Sequence, residues 1–360
     1  MTEKRIYANV QLLRFIAASL VIFVHISPYF VISGVETDSF ISVISFSHGG
    51  FGVDVFFVIS GFVIAATTLH KSRELGEGLH FARKRGLRIY LGYLPFLVWA
   101  LIQTYFLEPE RFARLDIVGS IFLTQTNIFK NALGVSWSLT YELYFYMIFT
   151  SFFFLSRRNV VFIIHILFAV ILTKTLFFEK GSSAYLNFLF SPFLLEFLAG
   201  SILFIHMDRL NGRIWLIVCL VAIYLTISSD LNPFESVRIR VLRYAPAAVA
   251  LVMMAVLLEK WGAFRCGATG VLLGDASYTL YLCHGLILQL GFQLVLLPLQ
   301  FTLSTPILLL LTFATFCLVI IFSIIFYRAV EMPLYKWALK KSRPVVEGLI
   351  QKPATDSRPL

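Results

Sequence analysis

The sequence predicts an all-α fold: a polytopic membrane helical bundle of about ten transmembrane helices. Three observations carry this. Of the 360 residues, 59% are hydrophobic and only 14% are charged, and the mean hydropathy is +0.84, more apolar character than a soluble chain of this length has core to bury. Apolar runs of about twenty residues, long enough to cross a bilayer, recur along the chain. They fall at 11–31, 50–69, 88–106, 137–155, 160–178, 185–205, 214–229, 243–258, 278–297 and 306–328. With the N-terminus inside, the inside segments hold 21 of the 30 Lys and Arg, the outside segments 8, and Arg14 is the remaining one. This is the bias of cytoplasmic loops, and it puts both termini in the cytoplasm.

Composition also narrows the partners. The net charge of +10 reads as cytoplasmic-side Lys and Arg that orient helices and touch anionic lipid, not as a nucleic-acid surface. Cys219, Cys266, Cys283 and Cys317 have no metal spacing and read as reduced core residues, with no disulfide framework and no metal site. Residues 1–337 are expected to form one integral membrane domain. Residues 338–360 form a polar cytoplasmic tail that frays beyond Trp337, with Pro344, Pro353 and Pro359 in it. No internal repeat or low-complexity stretch is visible.

The first span carries Arg14 and His25 in LLRFIAASLVIFVH; Arg14 interrupts the apolar run and no small-residue cleavage pattern follows, so it is a retained helix. Eleven residues make three turns plus about 20°, so the two share one face roughly 16 Å apart along the axis. Ionisable groups at membrane depth usually face a bundle interior or a watery cavity. The competing reading has Arg14 snorkelling to the interface and His25 satisfied in the core. The second span opens on Gly49, Gly50 and Gly52 and contains Gly61, residues that let backbones approach closely and are read as helix packing. Its Asp54 needs a partner; Arg14, His25 or a polar acceptor would serve, and a structural ion pair is the preferred reading.

Before the third span stands a basic run, Arg83, Lys84, Arg85 and Arg88. Arg85 and Arg88 are three residues apart, on one helix face, and guanidinium forks bind phosphate oxygens in bidentate fashion; positive-inside orientation is the alternative reading of the run. The piece 117–129 is apolar but too short to cross, and is expected to be a surface or re-entrant segment. The fourth span holds Glu142 between Tyr141 and Tyr144, the fifth His165 and Lys174, the sixth Glu196 at mid-span. Glu142, a carboxylate within a span, reads as a neutral hydrogen-bonder, a salt-bridge partner of an arginine or a proton relay; Glu196 and His165 are expected in the core, and Lys174 is expected to snorkel. The seventh and eighth spans are short. Arg238, Arg240 and Arg243 fall in the outside loop between them and break the charge bias. They mark either a miscounted span or a basic patch facing an anionic lipid or sugar. The ninth span contains Tyr278, Tyr281 and His284, and the tenth is followed by Glu331-Met332-Pro333.

Taken together these motifs resemble the membrane-bound acyltransferase family three, integral membrane enzymes that O-acylate surface sugars and related acceptors. The resemblance spans nearly the whole chain. It is carried by the Arg14–His25 spacing, GGFGVDVFFVISGFVI from Gly49, Arg85 and Arg88 in RKRGLRIY, WSLTYELYFY from Trp137, SYTLYLCH from Ser277, and the Glu331-Met332-Pro333 step. It implies a bacterial inner-membrane O-acetyltransferase with acyl-coenzyme A, most simply acetyl-coenzyme A, as donor substrate and no bound cofactor. The acceptor it implies is a hydroxyl of a cell-surface carbohydrate or lipid-linked glycan. It further implies that Arg85 and Arg88 bind the donor on the cytoplasmic side, and that Asp54, Glu142, Tyr281 and His284 belong to the pocket.

Acyl transfer from a thioester to a hydroxyl needs a base, a donor held in register and stabilisation of the tetrahedral oxyanion. His25 is the candidate base, since imidazole exchanges protons near neutral pH; acceptance of the acyl group on the ring is the alternative. Arg14 is paired with it as a catalytic candidate that orients its pocket, contacts donor phosphates or polarises the thioester. A Ser-His-Asp site is disfavoured because no Gly-x-Ser-x-Gly elbow is present. Many relatives carry an additional extracytoplasmic hydrolase-like domain. Here the bundle is expected to perform the transfer itself or to hand its acyl group to another protein. The rival classes are a proton-coupled transporter and a glycolipid flippase, which would also bury ionisable groups.

Overall fold

The structure, a computed structural model, describes residues 7–32, 50–178, 184–210, 212–228, 236–299 and 304–341. A helix lies at each of the ten predicted spans, and no strand occurs among the described residues. In chain order the principal helices are α1 (Ala8–Ile32), α2 (Phe51–Thr68), α3 (Leu75–Leu107), α4 (Trp137–Ser151), α5 (Arg157–Phe177) and α6 (Phe193–His206). They continue with α7 (Ile214–Ile227), α8 (Val237–Lys260), α9 (Ala268–Asp275), α10 (Ser277–Gly291), α11 (Thr305–Phe326) and α12 (Met332–Lys341). Among the described residues, eight helices are long and apolar enough to cross a membrane. The chain is a multi-pass membrane protein.

Of the two spans expected to be short, the seventh is: α7 has 14 residues. The eighth span is short by sequence but long in the structure. Ser236 accepts from the Ile239 amide and starts a helix of 24 residues, so Arg238, Arg240 and Arg243 lie in its first two turns and not in a loop. A hydropathy window stops at such charges; the fold keeps them helical by giving them partners, as when Arg238 Nη2 donates to the Leu176 carbonyl at 2.7 Å. Helix α3 likewise begins well before residue 88 and runs 33 residues, about 50 Å, so Arg83, Lys84 and Arg85 sit on a helical extension of the span.

Proline explains two further departures. The span 185–205 divides into a short helix, Ala184–Leu189, and α6. Pro192 lacks an amide proton and disfavours helix at Ser191; Lys174 Nζ donates to the carbonyl freed at Phe190, at 3.2 Å. Between α11 and α12 lies a π-helical turn, Tyr327–Glu331. Pro333 cannot donate to Ala329 and would crowd its carbonyl, and a wider turn relieves both. That turn carries Glu331 inward, to 2% exposure. Helix α12 continues to Lys341, past the expected domain boundary at 337. The apolar piece 117–129 forms only the short helix Ile117–Ile121. It is held against α3 by Tyr93, whose hydroxyl donates to the Ser120 carbonyl at 2.8 Å, while Val118, Phe122 and Phe129 remain exposed. Gly49 and the tail prolines Pro344, Pro353 and Pro359 lie outside the described residues.

Helix α2 is central, packed most closely on α6 and also against α1 and α8. The α2–α6 crossing is set by two glycines. A Cβ on Gly61 would stand 1.9 Å from the Phe197 carbonyl oxygen, and one on Gly200 would stand 2.0 Å from that of Val58. Ser201 adds a bond to the Gly61 carbonyl, 3.1 Å. Small residues let helices touch where lipid supplies no hydrophobic drive. Gly61→Ala is therefore expected to cost about 1–3 kcal/mol, the usual penalty for overpacking, measured as thermal unfolding in detergent. Unaltered unfolding would show that the crossing can widen freely.

Candidate functional site

Two adjoining cavities run through the bundle. The first, about 90 Å³, lies among α1, α2, α3, α4 and α10, toward the end of the bundle where α1 begins. Arg14, Arg85, Arg88, Glu142, Tyr146 and Tyr278 line it. Arg85 lies over the Phe81 and Tyr146 rings at 5.7 and 5.4 Å and donates to Thr67 Oγ1 at 3.4 Å. Arg88 Nη1 stands 3.3 Å from Glu331 Oε1, and its guanidinium lies over Tyr278 at 5.8 Å. Glu331 also accepts from the Thr279 hydroxyl. Glu142 accepts from the Tyr146 hydroxyl and from Ser60 Oγ at 3.4 Å. Arg14 has its Nε buried without a hydrogen bond among the described residues. Aromatic rings and the Glu331 carboxylate thus hold Arg85 and Arg88 beside Arg14 around one small space, a donor set suited to phosphate oxygens.

The second cavity is larger, about 430 Å³, and lies toward the opposite end. His25, Arg111, Trp137, Arg240, Tyr281 and Gln289 are on its wall. The His25 ring is exposed to it. Its Nδ1 lies 2.8 Å from the Val21 carbonyl oxygen, which only accepts. This assigns the proton to Nδ1 and leaves Nε2 as the basic nitrogen. His284, fully buried, meets the His25 ring edge to face at 4.8 Å, with Nε2 3.3 Å from Nδ1. Arg240 is fixed by Asp54, Nη2 to Oδ2 2.8 Å, in a pair with Asp54 fully buried and Arg240 a quarter exposed. The same nitrogen donates to the Gly50 carbonyl at 2.8 Å. Glu196, also fully buried, lies against Asp54 and Arg240. At the rim, Glu108 pairs with Arg111 at 2.9 Å and accepts from Gln289 at 2.7 Å.

The fold therefore sorts the candidate residues into four groups. Arg14, Arg85, Arg88 and Glu142 share the first cavity; His25 stands in the second; Tyr281 borders both. Asp54 and His284 line neither. They stand behind Arg240 and His25 respectively. Arg14 does not reach the His25 cavity, so of the roles weighed for it, orienting His25's pocket finds no contact. Asp54 takes neither Arg14 nor His25 as partner but Arg240, and Glu196 joins this buried cluster. His165 is half-buried and meets His206, Nε2 to Nε2 3.0 Å. Sequence reading missed Arg240, Arg111, Gln289 and Tyr146 as cavity residues and Glu331 as the anchor of Arg88. The signal for Arg240 was the basic cluster on the wrong side of the charge bias.

The family described as "Acyltransferase domain" matches residues 7–328. A relative, "Exopolysaccharide production protein ExoZ" of Rhizobium meliloti (strain 1021), is 28% identical over 252 residues, which is 66% of this chain and 76% of that protein. No solved structure matches the chain.

Proposed function

This chain belongs to the acyltransferase family matched over residues 7–328, and from that premise we propose that it transfers an acetyl group from acetyl-coenzyme A to a hydroxyl of a surface polysaccharide or its lipid-linked precursor. One observation carries the reading: guanidiniums and a basic imidazole open into adjoining cavities toward opposite ends of one bundle. The name of the relative, an exopolysaccharide production protein, supports the acceptor class. The charge bias of the loops supports an orientation with both termini and the arginine end in the cytoplasm, and the family, with a bacterial relative, supports a bacterial inner-membrane location.

In this reading Arg85 and Arg88, with Arg14 beside them, hold the donor's phosphates at the cytoplasmic end. The thioester arm extends along the bundle. In the larger cavity His25 Nε2 takes the proton of the acceptor hydroxyl as its oxygen attacks the thioester carbonyl. The C–S bond then breaks, and the departing thiolate takes that proton from the imidazolium. Arg240 and Arg111 face the same cavity and supply cationic donors for the acceptor or the oxyanion.

The test uses membranes containing the protein, labelled acetyl-coenzyme A, and label scored in glycolipid and polysaccharide. Label in glycan is expected. Arg85→Ala is expected to raise the donor KM roughly ten- to hundredfold, the loss of a charge-assisted hydrogen bond. Arg85→Lys should recover only part, because a point charge does not reproduce the guanidinium fork. An unchanged donor KM in Arg85→Ala would remove the donor from this cavity, and absence of label from glycan would remove the acceptor assignment.

A further inference from the structure

The two cavities share two wall residues, Val53 and Tyr281. Tyr281 is 6% exposed, with its ring beside Phe56 at 5.8 Å and His284 at 5.9 Å. Its hydroxyl reaches across to the start of α4: it donates to the Val135 carbonyl at 3.0 Å and lies 2.9 Å from Ser138 Oγ. Ser138 lines the arginine cavity and Val135 the histidine cavity, so this pair of bonds closes the boundary between them.

We propose that Tyr281 is a gate and positioning residue between the donor and acceptor cavities, opening to admit a narrow, flexible thioester arm while holding back the donor's bulky head and the acceptor. The inference rests on the acyl-transfer reading of the two cavities. Its chemistry is simple. A single ring held by two hydrogen bonds swings aside for a linear chain but not for a nucleotide or a sugar. Opening leaves no stranded polar group on α4, because Ser138 Oγ also bonds the Val135 carbonyl, at 3.2 Å. A closed gate keeps cytoplasmic water from the His25 cavity when no donor is present.

Gly285 provides a reporter. It lines the His25 cavity, and a Cβ there meets nothing within 4 Å, so Gly285→Cys places a thiol in open space. The full-length Gly285→Cys protein, in membrane vesicles of both orientations and without acyl donor, is treated with a small charged methanethiosulfonate. The same chain without Gly285→Cys reports the background of the natural cysteines. From the arginine end, labelling is expected to be slow with Tyr281 in place. It should be about tenfold faster with Tyr281→Phe, the ratio that losing two ordinary hydrogen bonds gives to an opening equilibrium, and faster again with Tyr281→Ala. From the histidine end all three should label alike. Tyr281→Phe keeps the ring, so the test stands if the alanine variant does not fold. Equal rates from the arginine end in the tyrosine and phenylalanine forms overturn the gate. Because the labelling uses no donor, that result is separate from failure of acetyl transfer, which bears on the proposed function alone.

Discussion

His25→Ala is expected to lower acetyl transfer by about 10²- to 10⁴-fold, the usual contribution of a positioned general base, at unchanged protein abundance. The ring is exposed to a cavity, so its removal opens space without stranding a buried partner other than the Val21 carbonyl and His284. The measurement is label passed from acetyl-coenzyme A to glycan by membranes of each variant. His284→Ala is expected to fall less, because His284 touches His25 but not the cavity, and to alter the pH profile of the rate, since it removes a ring against Nδ1. Added imidazole should restore part of the rate to His25→Ala through the open cavity, but not to Arg85→Ala. Transfer by His25→Ala at the wild-type rate would take the ring out of the chemistry altogether.

The resemblance and the spacing rules find different parts of this site. Hydropathy finds a helix at each of its ten spans, eight of them long and apolar enough to cross, because crossing a bilayer demands a run of apolar residues that few other structures need. It errs at the ends, where charge is helical but paired: the start of α8 and the extension of α3 both lie outside any apolar window. Spacing puts Arg14 and His25 on one face, and the fold agrees. Spacing does not reveal that a tyrosine from α10 divides that face into two cavities, because Tyr281 is brought there by packing across hundreds of residues of chain. The partner of Asp54 is hidden for the same reason. Arg240 lies 186 residues away, and no local pattern joins them. Glu331 reaches Arg88 only because Pro333 widens the preceding turn, a consequence visible in sequence to a reader who asks where that proline's missing hydrogen bond goes.

Asp54→Ala is expected to be among the most destabilising single changes in the bundle, at about 3 kcal/mol. Removing one partner of a buried ion pair typically costs about 3–5 kcal/mol, and the partial exposure of Arg240 puts this case at the lower end. The carboxylate is what allows a guanidinium to sit against Phe193, 5.8 Å from its ring, at the edge of the His25 cavity. Glu196 lies against the same pair and is placed to take over part of the interaction. This gives an ordering. Glu196→Gln alone should be mild, Asp54→Ala severe, and the double variant worse than the sum of the two, since residues in one network couple. Thermal unfolding in detergent measures all three. Restoring the balance with Asp54→Leu and Arg240→Leu together should recover stability while leaving the cavity without its cation, so acetyl transfer should stay low. If that double variant transfers acetyl at the wild-type rate, Arg240 serves only the fold. If Asp54→Ala unfolds at the wild-type temperature, the pair contributes nothing to holding α2 against α8.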